Sequence, residues 1–99
     1  MNYEEVYEDE DFEEKFTEAL VEAASPLPKF FSIGAQRPAV FRDRTERVTR
    51  FSFPGMIAAK GGEAHEGFIF GEVQIDFSED GYTVAIPELN FQESQAALG

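Results

Sequence analysis

Two groups of residues have the type and spacing to do chemistry: the glutamates Glu10, Glu14, Glu18 and Glu22, and the arginines Arg42, Arg44, Arg47 and Arg50. On a helix, a four-residue spacing stacks carboxylates along one ridge with a rise of about 6 Å. Like charges at that spacing cost only roughly 0.2–0.5 kcal/mol per pair, so a solvated acidic face is tolerable without any function. On a strand, Arg42, Arg44 and Arg50 are expected to share one face, with Glu46 and Val48 between them, at a repeat of about 6.5–7 Å. The two rows therefore match in charge spacing. They could meet within one chain or between neighbouring copies, because the guanidinium fork binds carboxylates in pairs. DNA phosphates also repeat at several ångströms, so the same ridge could imitate DNA to a basic protein. Phe41 and Phe51 interleave with the arginines, as in some grooves that stack single strands, but the acidic flanks work against direct nucleic-acid contact.

The remaining constellations point away from catalysis. Glu8-Asp9-Glu10-Asp11 lacks the central glycine of a calcium loop. Glu63, His65 and Glu66 cluster near glycines, but the histidine is the only one in the chain and HEGF is not the HExxH zinc pattern. Gly61-Gly62 and Gly67 fit neither GxxxxGK nor GxGxxG, so they are expected to serve backbone turns. No cysteine is present, which removes thiolate metal sites, disulfides and cysteine nucleophiles. No catalytic residue, metal site or cofactor is expected, and the chain is not expected to be an enzyme.

The elements that must position these residues are a helix followed by strands. Phe12, Phe16, Ala19, Leu20 and Ala23 form one apolar stripe at helical period. Asp11 and Glu14 make a plausible capping pair, and Ser25-Pro26 stops the helix. The helix is placed at residues 10–24, with residues 1–9 as an acidic arm or extension docked by Tyr3, Val6 and Tyr7. Residues 29–87 read as strands and turns. Candidate strands cover 29–33, 39–43 and 47–53, a turn falls at Pro54-Gly55, 56–59 is ambiguous, and a polar loop runs to Glu66. Ile69, Val73, Ile75 and Phe77 alternate with Glu72, Gln74 and Asp76. Asp80-Gly81 joins this run to Tyr82, Val84 and Ile86 as a hairpin. Pro87 is expected to end the second arm, leaving 88–99 as a tail in which Leu89 and Phe91 could anchor. The fold class is α+β in a single domain: one amphipathic helix on an antiparallel sheet of four to five strands, with a C-terminal hairpin. Phe12, Phe16, Leu20, Ile69, Val73, Ile75, Phe77, Val84 and Ile86 are the expected core.

The 99 residues carry a net charge of -12, and the charge is segregated. Residues 1–24 hold ten acids and Lys15, residues 25–62 hold seven bases and two acids, and residues 63–99 hold eight acids and no base. Eleven phenylalanines supply a core that a disordered chain would lack. No apolar run approaches the roughly 20 residues that span a bilayer, and the acidic start resembles neither a secretory signal nor a mitochondrial presequence. The expected location is therefore the cytoplasm or a virion. The expected function is a structural or assembly role through protein–protein contacts, by self-association as a homo-oligomer or with a protein partner, as in a small viral-particle subunit. Direct binding of nucleic acid or membrane is not expected. The alternative is an acidic DNA mimic that occupies the nucleic-acid site of a basic protein.

Overall fold

A computed structural model describes residues 1–27, 32–35, 37–58 and 63–93. Helices α1 (Tyr3–Glu8) and α2 (Phe12–Ala24) precede strands β1 (Ser32–Ala35), β2 (Val40–Phe41), β3 (Val48–Ala58), β4 (Ala64–Ser78) and β5 (Gly81–Glu93). The fold is α+β. The sheet is antiparallel in the order β1-β3-β4-β5, and β2 pairs with the same edge of β3 further along. β1 and β2 thus act as one interrupted edge strand. The helices cover one face and leave the other open.

Helix formation begins earlier than the periodicity indicates. Asn2 accepts from the Glu5 amide at 2.9 Å while the Glu5 carboxylate accepts from the Asn2 amide, a capping box that starts α1. Val6 is fully buried, and the Tyr7 ring lies 5.0 Å from Phe12 and 4.9 Å from Phe41. The acidic arm is therefore a docked helical turn. Asp11 occupies the N-cap of α2 but makes no side-chain capping bond, contrary to its expected pairing with Glu14.

Two prolines expected to stop strands do not. β3 runs through Pro54-Gly55 to Ala58. The Arg42 amide donates to the Arg50 carbonyl, so even-numbered residues of β3 direct their backbone polar groups toward β1 and β2. Ala35↔Gly55 is a β1 pair and Val40↔Ser52 a β2 pair. Pro54 falls between them, where no ladder bond calls for its missing N–H. β5 likewise continues through Pro87 to Glu93. Glu72 pairs with Glu88 and Gln74 with Ala85, so Ile86 and Pro87 together oppose Val73 as a bulge. The extra residue shifts the phase of the strand. Tyr82, Val84 and Ile86 face the core before it, and Leu89 and Phe91 pack on the core after it. Residues 88–93 are strand, not tail. The candidate strand at 29–33 overlaps the described residues only from Ser32, and 28–31 and 59–62 lie outside them, Gly61-Gly62 included.

The core joins Val6, Phe12, Phe16 and Leu20 to Phe51, Phe53, Ile57, Ile69, Val73, Ile75 and Tyr82. Val84 and Ile86 are partly buried against it. Phe77 departs from expectation at 43% exposed. It lies at the hairpin end of β4, where the Tyr3 ring packs against it with ring centroids 5.0 Å apart.

Lys15, the one base of the helical segment, fastens α2 to the sheet edge. Its Nζ donates to the Tyr82 carbonyl at 2.9 Å and sits 4.0 Å from the centre of the Tyr82 ring. The Tyr82 hydroxyl donates to Asp9 Oδ2 at 2.6 Å. Burial, reinforced by the Asp9 and Asp11 carboxylates, holds this phenol well above the usual tyrosine range. An unfolded tyrosine ionises near 10, so the folded state keeps a proton that the unfolded state gives up. The resulting stability is complete below about pH 10 and is lost as pH rises beyond it. Tyr82→Phe should therefore flatten the alkaline limb of a urea-midpoint-versus-pH curve. An unchanged limb would show that this phenol does not govern it.

Candidate interaction surface

The sequence-derived groups separate in three dimensions. Glu10 lies in the turn before α2, so the acidic ridge on the helix is Glu14, Glu18 and Glu22, all exposed. Among the described residues, the ion pairs are Arg47–Asp76 and, with a protonated imidazole, His65–Glu93. The ridge therefore does not meet the arginines within the chain. Glu18 and Glu22 border the edge of β5 beside Tyr82, Thr83 and Val84.

The arginines do not form one row. Arg44 lies on the helix side, its guanidinium 5.7 Å from the centre of the Tyr7 ring. Burial pushes the Tyr7 phenol up, against the pull of Arg44. Arg47 reaches across the start of β3 and places Nε and an Nη atom each 2.8 Å from Asp76 Oδ1. Only Arg42 and Arg50 share the open face, opposite one another across the β2–β3 ladder. The loop between β2 and β3 reverses the chain at this point: the Asp43 amide donates to the buried Thr49 hydroxyl at 2.6 Å. That reversal breaks the strand alternation on which the predicted row depends.

Asp76 accepts from Gln74 Nε2 at 2.7 Å as well as from Arg47. These bonds, Gln74 first and Arg47 second, hold its carboxyl below the usual carboxylate range. A depressed folded pKa stabilises the protein above the unfolded value near 3.9 and ceases to do so as pH falls through the folded value. Asp76→Asn should remove this part of the acid dependence, measured as the urea midpoint between about pH 5 and 2. An identical acid profile in the variant would refute the assignment.

Glu63, His65 and Glu66, close in sequence, do not converge on one site. β4 begins at Ala64, so His65 and Glu66 project to opposite faces. His65 Nδ1 lies 3.3 Å from Glu93, and both side chains are exposed. Gly67 belongs to β4, where it pairs with Gly55 and Glu93, and serves no turn. Among the described residues, no three His, Asp or Glu side chains group as metal ligands. A groove of about 480 Å³ between α2 and residues 37–41 is lined by Phe12, Phe16, Leu20 and Phe41, with Glu13 and Arg37 as its charged residues.

The open sheet face carries an ordered array of side chains drawn from several strands. Strand register arranges it in rows that run across the strands. One row reads Arg42, Arg50, Glu72, Glu88; the next Val40, Ser52, Phe70, Asn90; the third Pro54, Phe68, Gln92. Phe68 is 49% exposed and Phe70 37%, on a central strand where an aromatic ring ordinarily finds cover. Arg42, Arg50, Phe70 and Gln92 line one shallow depression of about 340 Å³. The only signal in the sequence was that Phe68 and Phe70 alternate with Ile69 and Gly71, so both faces of β4 carry large apolar residues.

No protein-family model, no curated protein and no solved structure matches this chain. Among the described residues, no helix is long and apolar enough to cross a membrane.

Proposed function

We propose that this protein is a non-enzymatic assembly subunit that acts through protein–protein contacts, by self-association or with a protein partner, inside a cell or within a particle such as a virion. The observation that carries the reading is the open sheet face. It holds Phe68 and Phe70 exposed beside a row of two arginines and two glutamates. Exposed aromatics beside guanidinium groups are the composition of an interface centre, and mixed charge at its edge selects a partner and its orientation.

A second reading is favoured by one feature: Glu14, Glu18 and Glu22 stand exposed, with no ion-pair partner among the described residues. As an acidic DNA mimic, the protein would present that ridge to the nucleic-acid site of a basic protein. Loss of Glu10 from the ridge shortens the mimicked stretch.

Affinity capture from the native source separates the two. Phe68→Ser with Phe70→Ser should abolish co-purification of the assembly partner, while Glu14→Gln, Glu18→Gln and Glu22→Gln together should leave it intact. The reverse pattern, with a nucleic-acid-handling protein recovered, would favour mimicry.

A further inference from the structure

We infer that the open sheet face is a self-complementary surface that pairs two copies of this chain about a twofold axis. The inference rests on the assembly reading above and supplies its partner. The row Arg42, Arg50, Glu72, Glu88 carries two positive charges, one just past β2 and one on β3, followed by two negative charges on β4 and β5. A twofold axis in the interface plane, parallel to the strands and passing between β3 and β4, reverses the strand order of the second copy and keeps each row in place. Arg50 then faces Glu72 of the second copy, and Arg42 faces its Glu88. In the neighbouring rows, Phe70 falls on Ser52 and Phe68 on Pro54 of the other copy, on either side of the axis. An in-plane axis perpendicular to the strands instead lays each strand on itself and moves the charged row off its counterpart. The charge pattern therefore selects one geometry, which is isologous.

The dimensions suit a dimer. Four strands at about 4.8 Å and ten residues at about 3.3 Å span roughly 600 Å² before side-chain relief is counted. That approaches the roughly 800 Å² per partner of a standard interface. Aligned sheets pack about 10 Å apart with a twist near 30°, which displaces the outer strands by a few ångströms, within the reach of an arginine. Apolar surface at the centre is supplied by Phe68, Phe70 and Pro54, with Val40 at the rim.

Arg42 and Glu88 provide the decisive test, because they stand at opposite ends of the row and are not neighbours within one chain. Arg42→Glu even relieves the like-charge contact with Arg50 in its own chain, yet it should weaken the dimer at least about tenfold in sedimentation velocity at low salt. Glu88→Arg should do the same, and the double variant should return to within about threefold of wild type, since non-additivity of this kind reports direct contact. Far-UV circular dichroism and urea midpoints check that each variant stays folded. Phe70→Ser should leave a folded monomer. A wild-type chain that remains monomeric up to about 1 mM, or a double variant without rescue, overturns the self-pairing. If that monomer still captures a native protein through Phe68 and Phe70, the face belongs to a different protein and the assembly reading survives. Loss of capture as well would end both. Binding of a single-stranded oligonucleotide that Phe70→Ser abolishes would instead assign the face to base stacking and overturn the inference.

Discussion

Phe16→Ala should lower the unfolding free energy by about 3–5 kcal/mol, measured as a shift in the urea midpoint at constant slope. Phe16 is 7% exposed and is the ring through which α2 reaches two strands. It stacks on Phe12 at 5.8 Å and meets Phe41 at 5.2 Å and Phe51 at 5.1 Å, both edge-on. Truncation removes the transfer free energy of the ring and leaves three aromatic neighbours without their contact. Domains of this size are stable by about 5–15 kcal/mol, so the variant should sit near the edge of folding at 37 °C. A measured loss under about 1 kcal/mol would mean that α2 docks by some other stripe.

Gly71→Ala is expected to be comparably severe, at about 3 kcal/mol, for the opposite reason. Overpacking ordinarily costs about 1–3 kcal/mol. Here a Cβ would run into the Glu88 carbonyl oxygen, with the Glu88 carbonyl carbon at 2.9 Å and Leu89 Cα at 3.1 Å. These are backbone atoms of the paired strand and cannot rotate away. The bulge at Ile86-Pro87 brings β5 over the core face of β4, and Gly71 leaves the room it needs. Gly67 does the same four residues earlier, against the Gln92 carbonyl at 2.6 Å. Amide exchange should show protection lost first in residues 88–93, where β5 would lift off. Gly81→Ala offers a contrast: its φ of +137° makes substitution strained, but nothing lies within 4 Å, so its cost of about 1–2 kcal/mol should stay local to the turn. If Gly71→Ala unfolds within 0.5 kcal/mol of wild type, the close approach of β5 is wrong.

Segregated charge is what makes the open face directional. The basic middle of the chain supplies β2 and β3, and the acidic end supplies β4 and β5. Antiparallel pairing lays these segments side by side, so a difference along the chain becomes a polarity across the sheet. Most of the excess negative charge lies in the helical segment, where Glu14, Glu18 and Glu22 face solvent. Two copies joined through their sheets would keep these ridges on opposite outer surfaces, which limits their mutual repulsion.

By itself the sequence determined the local features. The helical stripe of Phe12, Phe16 and Leu20, the hairpin around Asp80-Gly81 and the inward face of Ile69, Val73 and Ile75 all follow from periodicity and turn chemistry, which act over a few residues. Tertiary structure decided whatever depends on which strand lies beside which. Pro54 and Pro87 read as strand ends until pairing shows a break in the edge beside one and a bulge at the other. Arg42, Arg44 and Arg50 read as one row until the reversal at Asp43–Thr49 parts them. The row that does form draws on the residue after β2 and on β3, β4 and β5, from Arg42 to Glu88. No spacing along the chain encodes it, because neighbours in a sheet are set by register, and register is set by the whole buried face at once.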